Sequence, residues 1–560
     1  MSLVFDRFLR YDELTAALHE FAAEHPELVQ VEQYGTSHEG RALWIVTVTD
    51  ASTGAHDTKP AHWVDANIHS VEVTGGVAAL YLLHHLVSGF LAGDASVSEA
   101  LRTRTFYVVP RVNPDGVEAA LSDDPIYRRS SMRSWPWHDA HQWPGLVIRD
   151  IDGDGRVLTM RIPDPNGAWV EHPTEPRVMM PVPVDGVVAD GTQRYRLLAE
   201  GTIVDHDGFT VPTPRPPEGL DLNRNFPAGW GTSVRGSGDH PLSETEIDAL
   251  VRAIVARPNV CGYNAFHTSG GVLLRPSSTM PDSAMPPVDL WRYKELAARC
   301  TELTGYLPHS VYEDFTFDRS STMSGAADDW VYEHLGVYGW TTEFWDAIHA
   351  ATGVRSDTLI WYTGPTPDEA VAVAQWSDQH GEFCFPWRPF DHPQLGPVEI
   401  GGVDEFRLWT NAPPSLLEAE VSGHAAFAVF QALASPRLEI VHTAVTSLGD
   451  GTWRIEAGLA NTGWLPTTVS AKAERDNLVR PLIAELDLPE GAVLVNQANR
   501  QQLGQLEGRS VYRLNGGAYS DGTPDRVLAT WLVRADAGAT IEIIALHQRA
   551  GRASATVTLA

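Results

Sequence analysis

The stretch AHWVDANIHSVEVTGGVAALYLLHHLV, residues 61–87, joins two different periodicities. Residues 61–69 read as a short apolar strand, and from Gly75 to Val87 the apolar positions recur at helical spacing. A strand that feeds a helix is the building unit of a layered α/β sheet. His69 and Glu72 lie three positions apart at the junction. They read either as two metal ligands or as an ordinary polar turn. An H-x-x-E pair is common by chance, so the rest of the chain has to supply a third ligand and a base.

Working outward, the alternation recurs. Residues 11–24 (YDELTAALHEFAAE) have helical apolar spacing, 42–50 (ALWIVTVTD) alternate as a strand, and 105–112 (TFYVVPRV) form a strand closed by the turn NPDG (113–116). Further on come a helix at 243–256, a strand at 261–268 (CGYNAFHT), a helix at 287–305, a strand at 337–346 (VYGWTTEFWD) and a helix at 415–434. This order predicts an α/β layered sheet over residues 1–434. Two stretches interrupt it, about 135–218 and 350–412, where prolines, glycines and aromatics multiply. Both read as insertions, and the tryptophans of SWPWHD (134–139) and FPWRPF (385–390) as cores for segments short of helices. From 436 to 560, segments such as RLEIVHTAVTSL and ATIEIIALHQ alternate between Gly, Asn and Asp turns, which predicts an all-β sandwich.

Composition sets outer limits. A chain of 560 residues is too long for one core, so two or three domains are expected. A formal net charge of -31 with no Lys/Arg run argues against nucleic acid, which needs clustered cations. Cys261, Cys300 and Cys384 are too few and too scattered for a disulfide framework or a thiolate zinc site. No run approaches the ~20 apolar residues of a membrane span. The start, MSLVFDRFLRYDEL, has no signal-like apolar region, so the expectation is a cytoplasmic protein, with secretion of a longer precursor left open.

The third ligand comes from NAFHTSGGVLLRP, where a strand delivers His267 to its carboxyl end. In open α/β sheets that edge is where sites are assembled. Two histidines and a carboxylate make a His2Glu set suited to zinc, which leaves a position free for water.

At this point the sequence resembles the zinc carboxypeptidase family, the group that includes carboxypeptidases A and B. The resemblance runs in order through GTSHEGRALW (35–44), NIHSVE (67–72), NPDG (113–116), DLNRNFP (221–227), FHTSGG (266–271) and TTEFWD (341–346). It implies a three-layer α/β/α carboxypeptidase-like domain with a mixed central sheet, followed by the C-terminal β-sandwich. It also implies one catalytic zinc on His69, Glu72 and His267, with Glu343 as general base. Asn223 and Arg224 are then the pair that holds the free C-terminal carboxylate of a peptide, a task that suits the planar guanidinium fork. An arginine of YRRSSMRSW (127–135) stabilises the oxyanion, Arg133 as first choice and Arg129 as second. Ungapped register with Trp330 puts Asp328 at the floor of the specificity pocket, implying a preference for C-terminal Lys or Arg. Arg275 is expected to line that pocket and to neutralise Asp328.

Two positions depart from the family pattern. Ser321 stands where many members carry a mobile tyrosine, with Tyr312 the candidate to replace it. Val71 stands where some carry an arginine. Two rival readings keep the same residues: an amidase acting on peptidoglycan stem peptides, and an inactive peptidase-like protein that only binds. Separately, Asp150, Asp152 and Asp154 in DIDGDG fall at alternate positions of an EF-hand-like loop and suggest a structural calcium, although Arg161 stands where the closing Glu belongs.

Overall fold

A computed structural model describes residues 3–135, 144–213, 219–316, 322–356, 363–495, 498–514 and 521–560. The SWPWHD cluster beyond Trp135 falls outside them. Eight strands form the central sheet: β1 Val29–Thr36, β2 Ala42–Val48, β3 Ala61–Ala66, β4 Thr105–Val109, β5 Val260–Thr268, β6 Val272–Arg275, β7 Leu307–Ser310 and β8 Tyr338–Phe344. Their spatial order is β1-β2-β4-β3-β5-β8-β6-β7. Four neighbouring pairs, including β4–β3, β3–β5 and β5–β8, run parallel, and the outer pairs β1–β2 and β2–β4 run antiparallel. The sheet is mixed, and both of its faces are covered.

The covering follows from strand alternation. Val64, Ala66, Phe106 and Val108 turn to one face, where they pack with helices α1 (Tyr11–Glu24), α2 (Val73–Ala92) and α6 (Leu417–Ala434). Ala61, Trp63, Tyr107 and Val109 turn to the other, against α3 (Thr245–Val255) and α5 (Ala327–Leu335). Every residue of β3 is therefore buried, His62 and Asp65 included, and the strand turns no face to solvent. The remaining long helix, α4 (Pro287–Thr304), packs on α6.

Three expectations change. The apolar helix runs over 20 residues with mean hydropathy 1.4, so it does reach the length of a membrane span. Its apolarity is accounted for by the sheet and α6, between which its inner residues are buried. NPDG is not a free turn: Asn113 caps a short helix, Pro114–Ala120, by accepting the Gly116 N–H at 3.0 Å. Within the second insertion a 14-residue helix, Pro367–His380, opens on a Thr366–Glu369 capping box with Pro367 in the first turn.

The two insertions also fold together. Strand Gly396–Val403 pairs with Thr159–Pro163, so one six-stranded sheet draws strands from both. Trp387 and Tyr195 sandwich the buried Arg161 guanidinium at 4.6 and 4.5 Å, so the FPWRPF tryptophan serves packing. After residue 436 two four-stranded antiparallel sheets face each other across Trp453, Ile455, Trp531, Ile541 and Ile543. This is the expected sandwich.

Two histidines in the core carry a pH signature. His62 and His424 are each 1% exposed, and neither ring nitrogen of either has a partner. Burial pushes both down to about 3. An unfolded histidine titrates near 6.5, so between about 6.5 and 3 the unfolded chain binds protons that the folded chain refuses. Stability from this source is complete above about pH 6.5 and falls as pH drops. At about pH 5.5 the two together cost about 3 kcal/mol. Urea midpoints measured against pH are expected to show this acid loss, and the double variant His62→Leu, His424→Leu to lack that share of it.

Candidate active site

Strands β3, β5 and β8 lie side by side and parallel, so their carboxyl ends open on the same edge. In the ladder His267 of β5 stands directly opposite Glu343 of β8, and Phe266 opposite Ala66 at the end of β3. Just past β3, Asn67 adopts φ 55°, turning the chain out of the strand, and its amide donates to the Glu72 carbonyl. The start of α2 then approaches β5 closely. A Cβ at Gly75 would stand 2.6 Å from the Phe266 carbonyl oxygen, so only glycine lets the helix begin there. This close approach brings His69 and Glu72 over His267.

The three side chains converge. Glu72 Oε1 lies 2.9 Å from His69 Nδ1, Glu72 Oε2 lies 2.9 Å from His267 Nδ1, and the two Nδ1 atoms are 3.1 Å apart. Zinc bonds of about 2.0–2.1 Å at tetrahedral angles put neighbouring donor atoms roughly 3.3 Å apart, a few tenths of an ångström beyond these spacings, so a small spreading of the three side chains admits the ion. All three residues are buried, at 2–3% exposure. His69 directs Nε2 to Asp221 Oδ1 at 3.0 Å, which leaves the Nδ1 lone pair facing the centre. Asp221 escaped the sequence reading, although it opens the DLNRNFP motif that supplied Asn223 and Arg224.

Charge in the cluster is interlocked. Burial pushes the Glu72 carboxyl up, but His69 and His267 outweigh it and hold the group well below the usual range. Burial, with Arg129, pushes His69 down, and Glu72 and Asp221 more than reverse this. Glu343 is pushed up to about 8, chiefly by burial, with His267 opposing and Glu72 adding. A bound divalent cation acts in the opposite direction.

A cavity of about 310 Å³ opens beside the triad and is lined by His69, Glu72, His267, Glu343, Arg129, Asn223, Arg224 and Asp328 among others. Arg129, expected second, faces the triad: Nη1 is 3.1 Å from Glu72 Oε1 and Nε 3.4 Å from Asp221 Oδ2. Its segment is fixed by Ser70 N–H to the Arg129 carbonyl (2.9 Å) and by the Asn113 amide to the Ser130 carbonyl (2.7 Å). Arg133, expected first, is turned away. It pairs with Glu244 at 2.7 Å and Asp239 at 3.2 Å, because buried Glu244 needs a cation. Arg275 does not reach Asp328 either; it makes a bidentate pair with Asp282, both contacts 2.6 Å. Asp328 instead accepts the Asp329 N–H at 3.0 Å, and Asp329 accepts the Ser278 N–H. Burial raises both carboxyls, and the neighbouring Asp328 adds to it at Asp329, which is pushed up to about 8.

Ser321 lies outside the described residues. Val71, Val311 and Phe315 line the cavity, whereas Tyr312 is not among its walls. The calcium expectation gains no support. Asp150, Asp152 and Asp154 do converge, but Arg388 Nη2 sits 2.8 Å from both Asp152 and Asp154, and Asp150 accepts the Gly153 and Gly155 N–H groups. A guanidinium, with backbone amides, already satisfies the loop.

Comparison with known proteins bears on this geometry. The family described as zinc carboxypeptidase matches residues 14–144 and 177–354, and a "Domain of unknown function (DUF8731)" matches residues 437–558. Carboxypeptidase B of Astacus astacus is 30% identical over 162 residues, 29% of this chain and 44% of that protein. Carboxypeptidase A1 of Rattus norvegicus is 20% identical over 356 residues, 62% of this chain and 64% of that protein. The matched stretch thus spans less than two thirds of either relative. Among solved structures, carboxypeptidase A from Helicoverpa armigera shares 17% identity with a TM-score of 0.41, covering 67% of this chain and 74% of that one.

The triangle of donors predicts one zinc per chain, measured by metal analysis after dialysis, and its loss in His267→Ala. Asp221→Asn is expected to weaken zinc binding roughly 10- to 100-fold in competition with a chelator, because the neutral amide no longer fixes the His69 tautomer.

Proposed function

The chain belongs to the zinc carboxypeptidase family, and from that premise we propose that it is a metallocarboxypeptidase that removes C-terminal residues, with a preference for Lys and Arg. The observation that carries this reading is one cavity holding three different tools: the His69–Glu72–His267 donors, the Glu343 carboxyl, and the Asn223–Arg224 turn.

Zinc held by those donors supplies Lewis acidity, polarising the scissile carbonyl and acidifying a water. The chain's own residues do the rest. Glu343 takes a proton from the attacking water and passes it to the leaving amine. Its partly buried position raises its basicity. Arg129 faces the developing oxyanion, held in place by Glu72 and Asp221 so that its charge is positioned before the reaction. Arg224 and Asn223 bind the terminal carboxylate. The Asn223 carbonyl accepts Arg224 Nη1 at 2.6 Å, and Asn223 Oδ1 accepts the Ala327 N–H at 2.9 Å, so the turn is held from both sides.

The preference for a basic residue rests on Asp328. Its side chain is buried at the wall of the cavity, and Arg275, expected to cancel it, is engaged by Asp282 instead, which leaves His267 and Arg224 as its cationic neighbours in the cavity. A substrate ammonium or guanidinium adds a direct partner for that carboxyl, and an apolar side chain adds none.

Two outcomes test the reading. Purified protein is expected to release C-terminal Arg from hippuryl-Arg in a chelator-sensitive reaction, with Glu343→Gln lowering kcat about 10²- to 10⁴-fold while zinc content is retained. Absence of any chelator-sensitive release sinks it. Hippuryl-Arg is expected to be cleaved faster than hippuryl-Phe, and Asp328→Asn to reduce or reverse the ratio. Faster cleavage of hippuryl-Phe by the unmodified protein refutes the specificity claim alone.

A further inference from the structure

Helix α5 is gripped at both ends. At its N-terminal end the Ala327 N–H donates to Asn223 Oδ1, and the next residue, Asp328, lines the cavity. Gly325 packs against the Arg224 backbone and donates its N–H to the Ala228 carbonyl at 2.8 Å. The first turn of α5 is therefore built into the substrate-binding turn.

At the other end the partners come from beyond residue 436. Arg549, 4% exposed, sends its guanidinium to the carbonyls of Leu335 and Gly336, the last residue of α5 and its left-handed cap, and to the Thr468 carbonyl at 2.8 Å. Ser470 Oγ donates to the same Gly336 carbonyl at 2.7 Å, and Lys472 Nζ pairs with Glu333 Oε2 at 3.0 Å. A cation on the terminal carbonyls of a helix is also favourable to its dipole.

A second, independent joint reaches the same helix. Asp289 on α4 is fully buried and accepts four hydrogen bonds. Two come from the catalytic unit: Tyr332 OH of α5 at 3.0 Å and Tyr338 OH of β8, the Glu343 strand, at 2.8 Å. Two come from backbone N–H groups of the C-terminal region, Ala471 at 2.8 Å and Lys472 at 3.0 Å. One carboxylate thus ties the β-region to both the pocket helix and the Glu343 strand. Removing either side leaves a buried charge short of donors.

We propose that the C-terminal β-region is a positioning element for the catalytic cavity. Through Arg549 and Asp289 it sets the axial position of α5, and so the placement of Asp328 and of the Asn223–Arg224 turn at the far end. Arg549 and Asp289 act as positioning residues, since neither touches the cavity. A rigid helix of nine residues is a direct mechanical link between the two ends. The consequence for selectivity rests on the carboxypeptidase reading above, whereas the mechanical link does not.

The full chain is compared with Arg549→Met, Asp289→Asn and the milder Lys472→Met, which carries the test if the buried variants fail to unfold cooperatively. Hydrogen–deuterium exchange is expected to rise at the first turn of α5, residues 326–329, by about three- to thirtyfold. In the same variants KM for hippuryl-Arg is expected to rise by a similar factor with kcat changed less than about twofold, and KM for hippuryl-Phe, which shares the Asn223–Arg224 contacts but not the Asp328 one, to rise distinctly less. In a folded variant, deprotection confined to residues 333–336 overturns the proposal. So does a proportional loss for both substrates. If the unmodified protein releases no residue at all, that result counts against the carboxypeptidase reading, and the exchange measurement alone decides the link.

Discussion

The carboxylate of Glu72 is the constraint around which the central-sheet domain is arranged. It is 3% exposed, deep in a sheet edge, and a buried anion needs cationic partners and hydrogen-bond donors. His69, His267, Arg129 and the Thr268 N–H supply them. Each side-chain partner outside β5 is itself tied back, His69 to Asp221 and the Arg129 segment to Ser70 and Asn113. A divalent ion at the centre meets the same need with greater charge, and this is why the donor set both fits zinc and holds the strand ends together.

That arrangement makes the cleft a product of distant pieces. The parallel ladder puts His267 beside Glu343, the glycine at 75 lets α2 begin against β5, and Asp221 brings the Asn223–Arg224 turn to the histidine. The additions to the catalytic sheet have different structural roles. The two insertions complete each other as one six-stranded sheet, with Arg161 buried between aromatic rings and Arg388 closing the acidic loop. The C-terminal sandwich is joined to the catalytic unit through buried polar contacts at Asp289, Arg292 and Arg549. Buried polar contacts fix geometry more strictly than apolar packing does, since a small displacement leaves a donor or acceptor unpaired.

Much of this was legible in the sequence. Helix and strand periodicity located most of the main elements, because both faces of the sheet are covered by amphipathic or apolar segments with few ambiguous positions. The helix 367–380 was obscured by the proline-rich composition around it, although Thr366, Pro367 and Glu369 form a helix-start signal. The short helix after Asn113 was hidden for the opposite reason, since N-P-D-G serves equally as a turn and as a cap.

By itself the sequence determined the α/β sheet and the sandwich, since strand and helix periods are local properties, and it offered His69, Glu72 and His267 as a candidate triad only with the ordered series of motifs behind them. Only the tertiary structure decided which arginine faces the metal centre, whether Arg275 cancels Asp328, and whether the aspartates of DIDGDG are available to a cation. In each case the answer is set by a competing partner that lies outside the motif: Glu244 for Arg133, Asp282 for Arg275, and Arg388 for Asp152 and Asp154. A charge pairs with whatever the fold brings within about 3 Å of it, and that distance is not written in the order of the residues.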